Sequence, residues 1–166
     1  MRYIKLYEDF SGENCIIFES ALLLKIDEKT KSEIKGIYES NPEAVDYFPL
    51  SPDKLHVTLT SIKSCKEVKD KLKSGLPLVQ MPNIVLGKTT FAERPETGKK
   101  SFVVSIENQV ELLNFVNIVY EQLGLTNPEP DRYFHITIAN NVENKKLPGF
   151  ADPFGSIGDI KKEDFI

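Results

Sequence analysis

Two short stretches of this chain carry one pattern: KLHVTLTS at 54–61 and RYFHITIAN at 132–140. Each alternates apolar and polar residues around a histidine, one intervening residue and a threonine. Alternation with period two marks a β-strand with one face in a core and the other turned away from it. The chain has only two histidines, His56 and His135, and both lie in this setting. A fold that treats the two strands as equivalents is the strongest constraint the sequence sets.

The surrounding elements repeat in the same order. Residues 15–27 form an apolar run whose centre reads as a buried strand. Residues 28–41 place Ile34, Ile37 and Tyr38 at helical spacing and stop before Pro42. A loop with Pro42, Pro49 and Pro52 leads into the first His-x-Thr strand, and residues 65–75 read as a short helix closed by Gly75. In the second half, residues 82–95 and 99–108 read as a hairpin around a Pro-Glu-Thr-Gly turn. Residues 109–124 give the clearest helix, with Val110, Leu113, Val116, Val119 and Leu123 at apolar positions and Gly124 at its end. A loop with Pro128 and Pro130 then enters the second His-x-Thr strand. The expectation is a single α+β domain over residues 1–166, built from two related lobes of roughly 80 residues. Residues 141–166 are rich in Gly and Pro and read as an irregular C-terminal tail.

Residues two apart on a strand share a face. His56 therefore projects with Thr58, and His135 with Thr137, with Thr60 and Ala139 expected as the third member of each polar face. Val57, Leu59, Ile136 and Ile138 point the other way, into a core. Two imidazoles on such strands suit acid–base catalysis near neutral pH, one accepting a proton while the other donates one. The paired threonines supply neutral donors for the non-bridging oxygens of a phosphoryl group. With a ribose 2′-hydroxyl as internal nucleophile, neither metal nor protein nucleophile is needed. A zinc site would require a third protein ligand, and neither motif brings a carboxylate or thiol to its polar face. No G-x-S-x-G elbow and no Walker-type phosphate loop occurs.

Charge narrows the partner. The net charge is −4 at pH 7, which argues against a long polyanion such as duplex nucleic acid and leaves room for a small nucleotide. Cys15 and Cys65 lack any C-x-x-C spacing, the N-terminal stretch is charged throughout, and no apolar run reaches the roughly 18 residues of a membrane span. Together these give the expectation of a reduced, cytoplasmic protein that does not engage membranes.

LHVTLTS and FHITIAN, at this separation, resemble the paired H-x-[ST] signatures of the two-histidine (2H) phosphoesterase superfamily. The resemblance implies a bilobal α+β fold with two antiparallel sheets around a central cleft and no cofactor. It implies catalytic roles for His56 and His135, and phosphate-gripping roles for Thr58 and Thr137. Within the superfamily, the small size and the tail NNVENKKLPGFADPFGSIGDI are similar to phage anti-CBASS cyclic-oligonucleotide nucleases, which cleave 3′–5′ linkages of cyclic messengers in the host cytoplasm and close a C-terminal segment over the ligand. The alternatives are an RNA-end 2′,3′-cyclic phosphodiesterase or 3′ exonuclease, and a non-catalytic cyclic-nucleotide sponge. The chain has no tryptophan, so base stacking would fall to Tyr or Phe. Tyr133, Phe154 in the candidate lid and Tyr7 are the candidate substrate-binding residues, and Lys99 and Lys100 are candidate phosphate contacts or plain surface charges.

Overall fold

A computed structural model describes residues 15–18, 21–60, 70–71, 82–94 and 98–141. Tyr7, Phe154 and the tail beyond Asn141 lie outside the described residues, as does the 65–75 helix apart from Asp70 and Lys71.

The first apolar run folds back on itself instead of making one strand. Strands β1 (Cys15–Phe18) and β2 (Ala21–Lys25) pair antiparallel, with Phe18 opposite Ala21. Helix α1 (Glu28–Glu39) begins where the Asp27 carboxylate accepts from the Thr30 amide at 2.8 Å. Its end at Ser40 anticipates Pro42. A two-residue strand, β3 (Phe48–Pro49), precedes β4 (His56–Thr60). The second half contains the hairpin β5 (Leu86–Arg94) and β6 (Lys99–Ile106), helix α2 (Gln109–Gln122) and β7 (His135–Asn140). Gly124, at φ +73°, turns the chain out of α2 while the Leu125 amide bonds back to the Tyr120 carbonyl at 2.8 Å.

All described strands belong to one antiparallel sheet, in the order β1-β2-β4-β7-β6-β5, with β3 also paired to β7. The expected pair of separate sheets is thus one sheet. The two halves do show at its centre, where β4 meets β7 through a single registered pair, Val57 with Ile136. Beyond that point β3 takes over along β7, with Pro49 opposite Ala139.

Helices α1 and α2 both contribute to the core. Val57, Leu59, Ile136 and Ile138 join Ile34 of α1 and Leu112, Phe115, Val116 and Val119 of α2 in one buried cluster. Val110 is not part of it: at 71% exposure it lies outside the stripe, which is carried by the larger Leu112, Phe115 and Tyr120. No helix among the described residues is long and apolar enough to cross a membrane.

Candidate active site

The sheet order brings the two His-x-Thr strands together as neighbours. One step to either side of the Val57–Ile136 pair, the antiparallel register sets His56 opposite Thr137 and Thr58 opposite His135. A regular antiparallel register through this pair puts the four residues on one face, with the histidines at opposite corners of a square. Regular strands space such diagonal neighbours about 7–8 Å apart, enough for a phosphoryl group between the rings. Each half frames its histidine alike. His56 pairs with Lys25 and Thr58 with Leu23, while His135 pairs with Ser105 and Thr137 with Val103.

A register shift follows each motif at the same point. Leu23 pairs with Thr58 but Leu22 with Thr60, and Val103 pairs with Thr137 but Phe102 with Ala139. One extra residue, Leu59 or Ile138, therefore bulges each motif strand just past its threonine. The bulge breaks the alternation, and this corrects the expectation for the third polar position. Thr60 and Ala139 are fully buried. Thr60 accepts a 2.9 Å hydrogen bond from the Tyr120 hydroxyl of α2, and Ala139 joins the core cluster. Each polar face thus ends at its threonine.

Both imidazoles are held by the upstream backbone. His56 Nδ1 lies 2.9 Å from the Lys54 oxygen, and the Tyr133 backbone is a hydrogen-bond partner of His135. A carbonyl can only accept, so Nδ1 of His56 carries the proton and Nε2 is the basic nitrogen of the neutral ring. His56 is 6% exposed and His135 9%. Burial lowers the pKa of His56, opposed by the Lys54 carbonyl. For His135, burial, the Arg132 guanidinium and the charge of His56 lower it to about 3, opposed by the hydrogen bond to the Tyr133 backbone. Both rings are neutral at pH 7 as they stand, and a phosphodiester anion between them would raise both.

The threonines differ. Thr58 is half-buried, while Thr137 is buried and its Oγ1 has no hydrogen-bond partner. A buried hydroxyl without a partner is costly, by about 1–3 kcal/mol, and leaves Thr137 with a donor to offer.

Arg132 is the residue that motif reading passed over. Its Nε donates to the Thr58 carbonyl at 3.1 Å and its Nη1 to Glu129 at 2.9 Å. It thereby ties the first motif strand to the lead-in of the second. Its signal was an arginine three residues before a histidine in an acidic chain. Gln109 was passed over too: its side chain bonds both the amide and the carbonyl of Phe134 and fixes the entry into β7. Tyr133 packs one side against Ala92 and Val103 beside the site. Lys99 and Lys100 lie at the opposite end of β6 from Ser105, roughly 17 Å along the strand, and so away from His135. Among the described residues no group of three or more His, Cys, Asp or Glu is placed to hold a metal ion.

No protein-family model matches the chain, and no curated protein sequence matches it. Among solved structures it is similar to the crystal structure of E. coli LigT in apo form, covering 81% of each chain with 16% identity and a TM-score of 0.39. At that distance the site has to be read from its own residues.

Proposed function

We propose that the chain is a metal-independent phosphodiesterase of the two-histidine type. Its substrates are the 3′–5′ linkages of cyclic di- or oligonucleotide messengers, and its role is that of a phage anti-CBASS nuclease acting in the host cytoplasm. The observation that carries the diesterase reading is the square of His56, Thr58, His135 and Thr137, with Thr137 Oγ1 buried and unpartnered. Two proton-transfer groups flanking two hydroxyl donors suit an in-line displacement at phosphorus. The net charge of −4 favours a small cyclic ligand over long RNA.

In the reaction, one imidazole takes the ribose 2′-hydroxyl proton as the 2′-oxygen bonds to phosphorus. The P–O5′ bond breaks and the other ring, as imidazolium, protonates the departing 5′-oxygen. A 2′,3′-cyclic phosphate and a free 5′-hydroxyl result. Thr58 and Thr137 donate to the non-bridging oxygens as charge builds there. Burial disfavours protonation of both histidines and Arg132 adds to this at His135, and the anionic substrate favours the imidazolium that the acid step requires.

Incubation with cyclic dinucleotides in excess EDTA, with products resolved by chromatography, tests this reading. A linear product is expected from the ribose form, and the 2′-deoxy analogue should bind yet stay uncut. Cleavage of the deoxy analogue would refute internal attack. Activity lost in EDTA and restored by zinc or manganese would refute the metal-free mechanism. Activity confined to RNA ends would replace the substrate class, and retention of intact ligand would leave a binding protein only.

A further inference from the structure

A cavity of about 580 Å³ opens beside the square, where β6 passes into α2 and the chain enters β7. Neither histidine lines it. Its volume falls in the range of roughly 300–1,000 Å³ typical of small-molecule sites. We propose that it is a nucleotide subsite, stacking a purine base on Tyr133 with guanine favoured. Only the link between this base and a scissile phosphate at the square rests on the diesterase reading.

Tyr133 sets the geometry. It is half-buried, packs against Val103, the strand partner of Thr137, and also lines the cavity. Tyr133 therefore neighbours both the Ala92–Val103 cluster beside the phosphate grip and the cavity, so a base stacked on it brings its sugar towards Thr137. Leu113 and Val110 of α2 add apolar wall, and Val110 is otherwise an apolar side chain left in water. Stacking on an aromatic ring contributes about 1–3 kcal/mol per base.

The polar lining selects the base. Glu107 and Asp131 are among the lining residues, and their carboxylates can only accept hydrogen bonds. Guanine offers N1–H and an amino group on its pairing edge, whereas adenine presents an acceptor at N1. Arg132, anchored by Glu129 and the Thr58 carbonyl, and Lys88 give cationic donors for a phosphate. Gly87 keeps the acidic wall in place. A Cβ there would stand 2.5 Å from Ser105 Oγ and 3.2 Å from Glu107 Oε2, at the point where the β5 register shifts. A side chain at 87 would push one or both groups out of position.

The test is calorimetric titration of the full chain with GMP, AMP and inorganic phosphate, none of which is a diester. GMP is expected to bind at least about 10-fold more tightly than inorganic phosphate, and more tightly than AMP. Tyr133→Ala should weaken GMP roughly 10-fold, with Tyr133→Phe within about 3-fold of the parent, since the ring carries the stacking. Glu107→Gln with Asp131→Asn should remove the preference for GMP over AMP. If Tyr133→Ala fails to fold, Val110→Trp closes the mouth from an exposed position and should give the same loss. GMP binding no tighter than phosphate, or indifferent to both the Tyr133 and Val110 changes, would overturn the subsite. Equal affinity for GMP and AMP would overturn the choice of guanine. Tyr133-dependent GMP binding without diester cleavage would leave the subsite standing and remove the diesterase reading, and cleavage with Tyr133-independent GMP binding would do the reverse.

Discussion

In the first half of the sheet, the β1–β2 hairpin is followed by α1, and β4 sets His56 beside Lys25. In the second, the β5–β6 hairpin is followed by α2, and β7 sets His135 beside Ser105. The two motif strands bulge at the same step, and both histidines bond the backbone two residues back. The differences lie around this shared frame. The second half puts Arg132 and Tyr133 ahead of its histidine, buries its threonine without a hydrogen-bond partner, and helps to line the cavity described above. The first half spends its extra hydroxyl, Thr60, on a bond to α2. A repeated frame places two imidazoles in matching positions, and their surroundings differ.

The most severe way to break the symmetry is to remove one of its corners. His56→Ala and His135→Ala should each lower turnover by roughly 10²–10⁴-fold, the range for a lost general acid or base. Because the two act in one displacement, the double variant should be little slower than either single one. Full activity in either single variant, measured on a cyclic dinucleotide, would show that the halves are alike in shape only.

The threonines sharpen the comparison. Thr137→Val removes the buried, unpartnered hydroxyl and Thr58→Val the half-exposed one. Turnover should fall by roughly 10–10³-fold at Thr137, with a smaller loss at Thr58, whose hydroxyl is the less desolvated. Stability should separate from rate at Thr137, since replacing an unsatisfied hydroxyl by a methyl leaves the fold as stable or more so. Equal rate losses at the two positions would remove the asymmetry assigned to the phosphate grip.

Much of this frame was legible in the chain. The His-x-Thr alternation named the strands and the residues on their polar faces, and the apolar spacing with Gly124 located α2. What stayed hidden depends on neighbours distant in sequence. Periodicity cannot show that β4 and β7 adjoin, because strand order is set by how the hairpins and helices pack. The bulges at Leu59 and Ile138 were invisible for the same reason, since a bulge exists only relative to a partner strand, and so Thr60 was placed on the wrong face. Val110 fits a helical apolar stripe, but the larger Leu112, Phe115 and Tyr120 decide which way the helix turns. Arg132 was unremarkable as a lone cation until the fold brought the Thr58 carbonyl to it.

Acid stability tests the electrostatic side. Both histidines have lowered pKa values in the folded chain, His135 to about 3 from 6.5. Below about pH 6.5 the unfolded chain takes up protons that the folded one refuses, so the stability present above pH 6.5 falls as pH drops towards 3. The slope is at most about 1.4 kcal/mol per pH unit for each histidine. Urea titrations at pH 7 and pH 5 should show His135→Gln losing about 2 kcal/mol less than the parent over that interval. An unchanged loss would mean that His135 is not desolvated and restrained by Arg132 as the geometry implies.

The smallest expected effect comes from a hydroxyl that the halves do not share. Tyr120 donates to Thr60 across the core, whereas Ala139, the matching residue of β7, offers nothing to accept. Tyr120→Phe leaves Thr60 Oγ1 buried without that donor, and should lower unfolding free energy by about 1 kcal/mol. Thr60→Ala, which makes the first half resemble the second, removes the acceptor as well. If the two side chains act mainly on each other, the double variant should be less destabilised than the sum of the single ones, with a coupling of about 0.5–1 kcal/mol in a denaturation cycle. Strict additivity would show that this bond does not join α2 to the first motif strand. The bulge that turns Thr60 inward would then owe nothing to Tyr120, and the matching bulge at Ile138, formed without any such bond, would be the simpler guide to why both strands bend there.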